Sequence, residues 1–136
     1  MADHLELEIV TPERLVVRDT AEEVQIPGLD GYLGVLPGHA PLITELGVGE
    51  ISYRNAGTTT RLAVAWGFAE VLPNKVTILA ETSERAQDID VARALRAKQR
   101  AEEILNSNSP DVDYREVQSA LQRAETRIDV AEKAGR

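Results

Sequence analysis

An antiparallel β-sandwich or barrel of many short strands, followed by an antiparallel two-helix hairpin, is the fold class that this sequence predicts. Three observations carry the prediction. Apolar and polar residues alternate with period two in short runs between Leu5 and Leu79. Turn-forming Pro, Gly and Asn residues punctuate those runs, with no helical pattern between them. Beyond Glu81 the apolar spacing lengthens to three and four, and Ala, Leu, Arg and Glu prevail. The two modules are placed at residues 1–86 and 87–136.

The first strand is set by Leu5, Leu7 and Ile9, which alternate with His4, Glu6 and Glu8 as a half-buried strand requires. Val24 and Ile26 alternate again before the turn signal Pro27-Gly28. Next comes Gly31–Thr44, reading G-Y-L-G-V-L-P-G-H-A-P-L-I-T. Its glycines and prolines exclude a helix and break a plain strand after Leu36. A short strand leading into a rigid, shaped surface loop is expected there. Further strands are expected at Gly49–Arg54, Thr59–Ala65, Phe68–Leu72 and Val76–Leu79, with Asn55-Ala56-Gly57 and Pro73-Asn74 as hairpin turns.

Asp88 or Asp90 can cap a helix running over Val91–Leu105, which Asn106-Ser107-Asn108-Ser109-Pro110 stops. Asp111 or Asp113 then caps a second helix reaching Lys133, with Gly135 near its end. Val91, Ala94, Leu95, Ala101, Ile104 and Leu105 form one apolar stripe; Val117, Ala120, Leu121, Ala124, Ile128 and Ala131 form the other. Small alanines on both stripes permit close approach in a hairpin. An alanine seam buries little area at about 25 cal/mol per Å², so the hairpin needs a second surface to pack against. With two packing partners available, it is a candidate switch.

The 136 residues are 43% apolar, and with Trp66 and Phe68 each the only one of its kind the core is aliphatic. No cysteine occurs, which excludes a disulfide framework and thiolate chemistry. The opening M-A-D-H-L-E-L-E does not read as a signal peptide, and no run approaches the ~18 apolar residues of a spanning helix, so a soluble chain is expected. The net charge is −8: residues 1–86 carry 6 basic and 13 acidic side chains, residues 87–136 carry 9 and 10. The acidic front disfavours nucleic acid and anionic lipid.

Catalytic chemistry is not indicated. His4 and His39 have no partner at metal-ligand spacing, no serine sits in a nucleophile elbow, and no Gly-Lys-Ser/Thr follows the glycines. His39, between Gly38 and Ala40-Pro41, either bonds local backbone or contacts a partner through a conspicuous loop. The arginines are sharper. Arg93 and Arg100 share one helix face, and Arg123 and Arg127 share another. If these faces converge, like charges at ~4 Å cost about 1 kcal/mol per contact in water, so something anionic must compensate. Ordinary salt bridges would serve: Arg123 with Glu116 or Glu125, Arg100 with Glu103. So would a bound polyphosphate gripped by guanidinium forks.

The Gly31–Thr44 segment with its P-G-H-A-P-L core, the T-I-L-A-E run at Thr77–Glu81, the strand-rich front and the two-helix tail resemble the epsilon-subunit family of bacterial F-type ATP synthases. The resemblance covers essentially the whole chain. It implies a ten-stranded flattened sandwich on the central stalk beside the gamma subunit, contacting the ring of c subunits. It implies a non-catalytic role in coupling proton flow to ATP synthesis and in restraining hydrolysis at the alpha/beta catalytic head. Membrane attachment would be indirect, on the cytoplasmic face of the plasma membrane. The loop contact to the c ring or gamma would be made by Tyr32, Gly38, His39, Ala40 and Pro41. Tyr32 stands where some relatives place a carboxylate.

Members of that family that bind ATP carry I/L-D-x-x-R-A at the start of the first helix, which stands here as Ile89-Asp90-Val91-Ala92-Arg93-Ala94. By similarity Asp90 and Glu84 would serve adenine and nearby polar groups, and Arg93, Arg100, Arg123 and Arg127 the phosphates. The implied ligand is regulatory ATP, with no cofactor or metal required. The alternative is a free-standing sandwich binding module with a helical dimerisation tail.

Overall fold

Alternation in L-E-L-E-I-V turns Leu5, Leu7 and Ile9 inward as β1 (Leu5–Val10), and the inward face of that strand is fully buried. β2 (Leu15–Ala21), β3 (Glu23–Gly28), β4 (Gly31–Val35), β5 (Leu42–Asn55), β6 (Thr58–Leu72) and β7 (Lys75–Arg85) follow. The computed structural model describes residues 3–135; Met1, Ala2 and Arg136, at the ends of the two expected modules, lie outside them. The strands form one sheet in the order β2-β1-β7-β6-β5-β3-β4. Every neighbouring pair is antiparallel except β1–β7, which is parallel.

The described residues form seven strands where the family resemblance implies ten: β6 runs unbroken through the strands expected separately at Thr59–Ala65 and Phe68–Leu72, and β5 already begins at Leu42, well before the strand expected at Gly49. Pairing skips one row, at Gly47 on β5, Trp66 on β6 and Glu81 on β7, and resumes beyond it. Trp66 (φ 58°) and Gly67 (φ 129°) bend the chain there without ending the ladder. The sheet folds over into two layers. Its closure is visible in bonds between strands distant in sheet order: Tyr53 Oη donates to Asp19 Oδ2 at 3.0 Å, and Arg85 Nη2 to the Val16 carbonyl at 3.3 Å. Burial above all pushes the Tyr53 hydroxyl pKa up. Leu5, Leu7, Ile9, Ile26, Ile51, Leu62 and Ile78 fill the space between the layers.

A 3-10 turn (Ala86–Asp88) leads to α1 (Val91–Asn106), and α2 (Tyr114–Lys133) returns alongside it. Asp90 and Asp113 are the caps among the pairs open in the sequence: their Oδ1 atoms accept from Arg93 N at 3.0 Å and Glu116 N at 3.3 Å. Replacing Asp113 with Ala should lower stability by about 1 kcal/mol, and Asp111→Ala by almost nothing; paired thermal melts measure the difference.

The seam between the helices is thin, with Ala94 and Ala101 buried on α1 and Ala124 and Ala131 on α2. α1 packs on α2, and α2 carries the main contact with the sandwich, at β5 and β6. Ala63, Ala86, Ile89, Val130 and Ala131 make a small apolar cluster at that contact. Beside it Glu50 bridges Arg61 (2.9 Å) and Lys133 near the end of α2 (3.7 Å). Among the described residues no helix is long and apolar enough to cross a membrane.

Candidate functional site

β1 ends at Val10, opposite Leu79, so the second half of β7, residues 80–85, has no partner on that side. α1 stands away from this uncovered edge, and between them lies a cavity of about 770 Å³. From the hairpin, Asp90, Arg93, Ala94, Arg96, Arg100 and Arg127 line it. From the sandwich come Glu81, Thr82 and Glu84 of β7, together with Thr11, Glu13 and Arg14 of the β1–β2 turn.

Five arginines therefore converge on four carboxylates, and the pairing is incomplete. Arg127 Nε reaches Glu84 Oε1 at 2.5 Å, tying α2 to β7. Among the described residues Arg14, Arg93, Arg96 and Arg100 form no ion pair, and one Asp90 oxygen is already engaged as the helix cap. Unpaired guanidinium groups around a space of this size suit a multiply charged anion.

The residues implied as an ATP site divide in the structure. Glu84, Asp90, Arg93, Ala94, Arg100 and Arg127 all face the cavity. Ile89 does not: at 1% exposure it belongs to the apolar cluster under the hairpin. Arg123 lies in a small crevice next door, where Nη1 donates to Ser119 Oγ at 2.7 Å and Nη2 pairs with Glu116 at 3.3 Å. That is one of the ordinary salt bridges open in the sequence; Arg123–Glu125 and Arg100–Glu103 do not form. Arg14, Arg96, Glu13 and Glu81 were not singled out by sequence reasoning. Arg96 could have been found from its spacing to Arg93 and Arg100, but Arg14 lies nearly eighty residues from the motif.

At the other end of the sandwich, β4 leads into the loop 36–41. Gly38 N donates to the Pro73 carbonyl at 2.7 Å and His39 N to the Leu36 carbonyl at 3.1 Å, which fixes the loop against the β6–β7 turn. His39 Nδ1 lies 2.7 Å from the Ala40 carbonyl, the local bond open to a histidine at this position. Gly38, Ala40 and Pro41 are exposed. The Tyr32 ring is 63% exposed while its hydroxyl accepts from Glu50 N at 3.0 Å. That amide faces a stretch where the β3–β5 register shifts, so the tyrosine oxygen supplies a partner the ladder lacks. Leu36, Ile43 and Leu29 stand exposed on the same end.

A second apolar surface crosses the outer face. The registers Phe68↔Leu79, Leu79↔Val10 and Val10↔Leu15 set four apolar residues in one row over β6, β7, β1 and β2. Phe68, Leu79 and Leu15 are each about half exposed. A continuous exposed row of this kind marks a contact surface rather than scattered surface residues.

Residues 4–86 match the family described as ATP synthase, Delta/Epsilon chain, beta-sandwich domain, and residues 87–132 match ATP synthase, Delta/Epsilon chain, long alpha-helix domain. The chain is similar to the ATP synthase epsilon chain of Koribacter versatilis, 67% identical over 111 residues that cover 82% of this chain and 78% of that protein. It is similar to the ATP synthase epsilon chain of Geotalea daltonii at 46% identity, covering 100% of this chain and 99% of that one. In fold it resembles a chain of the Euglena gracilis mitochondrial ATP synthase assembly of OSCP, F1 and c-ring, with TM-score 0.83, 20% identity and coverage of 100% and 84%. A chain of the Tetrahymena thermophila mitochondrial ATP synthase central stalk and c-ring gives TM-score 0.58 at 14% identity, covering 97% and 96%.

Proposed function

The chain belongs to the ATP synthase epsilon-chain family, and on that premise we propose that it is a non-catalytic central-stalk subunit whose hairpin responds to ATP. The sandwich docks by two surfaces. The stiff end built from Tyr32 and the loop 36–41 suits the c ring, and the apolar row from Phe68 to Leu15 suits the gamma subunit. The protein thereby sits at the cytoplasmic face of the bacterial plasma membrane through its complex, linking proton translocation to ATP synthesis.

The observation that carries the regulatory half is the arginine-lined cavity between hairpin and sandwich. ATP held there, between Arg93, Arg100 and Arg127 of the hairpin and the facing wall of the sandwich, favours the docked hairpin. With the hairpin released, its basic faces reach the acidic surfaces of the alpha/beta head and restrain hydrolysis. The thin seam and the small cluster at Ile89 and Val130 keep the two arrangements close in energy. ATP at 100 times its Kd adds about 2.7 kcal/mol to the docked state. A swing from 1:99 to 99:1 takes about 5.5 kcal/mol, so ATP tilts the balance and contacts with gamma complete it.

Titration calorimetry of the full chain with ATP tests this reading. One site is expected, weakened on the order of 10- to 100-fold by Arg93→Ala, which removes a charge-assisted contact. Silence at millimolar ATP would remove the ligand. Docking is tested separately, by whether the chain co-purifies with membrane-associated ATPase activity.

A further inference from the structure

A ligand moves a conformational equilibrium only by binding one state better than the other. Arg93, Arg96, Arg100, Arg127 and Asp90 all lie beyond the 3-10 turn, on the segment that would swing away. An anion held by these residues alone would travel with the hairpin and favour neither state. Coupling has to come from the wall that stays behind.

That wall is acidic. Glu13, Glu81 and Glu84 face the cavity from the sandwich, and each repels a polyphosphate. Arg14 is the one basic side chain on it among the described residues. The turn that carries Arg14 is tightly made: Thr11 N donates to the Arg14 carbonyl at 2.9 Å and Arg14 N to the Thr11 carbonyl at 3.3 Å. Thr11 is buried and Pro12 fixes the turn backbone, so the base of Arg14 is stationary. Its guanidinium has no ion-pair partner among the described residues.

Resting on the nucleotide reading of the cavity, we infer that Arg14 couples occupancy to docking: it is the sandwich's own phosphate contact, and it makes the ligand a bridge between modules. Without it, the ligand meets on the sandwich side the carboxylates of Glu13, Glu81 and Glu84 and the uncharged hydroxyls of Thr11, Thr82 and Ser83, with no cation among them, and binding ceases to favour the docked hairpin. Arg14 is thus the ligand contact that couples the two modules, distinct from the arginines that supply most of the affinity.

The chain has no cysteine, so Thr58→Cys and Asn106→Cys can carry a spin-label or fluorophore pair that reports the separation of β6 and the far end of α1. In the labelled full chain, ATP should raise the docked fraction. In Arg14→Ala the ATP affinity should fall by about tenfold, within the usual range of coupling factors, and saturating ATP should leave the docked fraction unchanged. Arg93→Ala should weaken binding yet keep the response at saturation. Arg14→Lys should restore part of the response. Arg18→Ala, an exposed change on β2 away from the cavity, should behave as the parent. A full docking response in Arg14→Ala, or an equal loss in Arg18→Ala, overturns the role of Arg14. Absence of ATP binding to the parent overturns the nucleotide reading and this inference together.

Discussion

Gly67→Ala is expected to cost about 3–5 kcal/mol and to lower the melting temperature by more than 10 °C. Gly67 sits at φ +129°, a region side chains rarely enter, and a Cβ built on it would lie 2.0 Å from the Leu79 carbonyl oxygen and 2.9 Å from Ala80 Cα. Both neighbours are backbone atoms of the adjacent strand, so no rotamer change relieves the clash. The substitution strikes the row where β5, β6 and β7 bend together, and the loss of closure should spread through both layers. Gly57→Ala is the control: it also has positive φ (+81°) but open space around it, so only the local strain of about 1 kcal/mol should appear. Comparable melting of Gly67→Ala and Gly57→Ala would mean that the fold line is not where the sandwich is sealed.

Ile89→Ala should undock the hairpin while leaving the sandwich folded. Ile89 is the largest side chain in the cluster with Ala63, Ala86, Val130 and Ala131, and its truncation removes about 2–5 kcal/mol from a contact with few other apolar groups. The sandwich core contains none of these residues, so it should keep its own stability. Limited trypsin digestion separates the two effects. Cleavage at the hairpin arginines should accelerate strongly in Ile89→Ala, with a fragment spanning about residues 4–86 persisting. Leu95→Ala, at an exposed position on α1, should leave the pattern unaltered. An unchanged digest of Ile89→Ala would show that the ion pairs Arg127–Glu84 and Lys133–Glu50 suffice to hold the tail.

Much of the fold could be read in the chain because local chemistry agreed with the final structure. L-E-L-E-I-V has a burial pattern that follows directly from its alternation, and the helix ends coincide with aspartate caps and a Ser/Asn/Pro break. β2 escaped because L-V-V-R-D-T-A buries only Val17 and Ala21 fully, and its identity comes from pairing with β1. The parallel β1–β7 ladder has no local signature: it joins segments some seventy residues apart. β6 is one strand and not two because a tryptophan in positive φ carries a bent strand across the gap between Thr59–Ala65 and Phe68–Leu72. For the cavity, helical spacing brought Arg93 and Arg100 together and the family motif added Asp90. The sandwich wall comes from chain folding, and neither spacing nor motif points to Arg14. Ile89 illustrates the reverse case, since a motif position can be occupied for packing.

The parallel ladder also bears on how the subunit is born. The first strand leaves the ribosome long before its β7 partner, and at about 5–20 residues per second it waits several seconds for Val76–Leu79 to emerge. During that wait Leu5, Leu7 and Ile9 have only β2 beside them, which makes the nascent chain most open to chaperones over this interval. Once Arg85 has been synthesised the whole sheet can seal, and the helical hairpin emerges onto a finished platform. A chain terminated early within the hairpin would therefore still carry a folded sandwich.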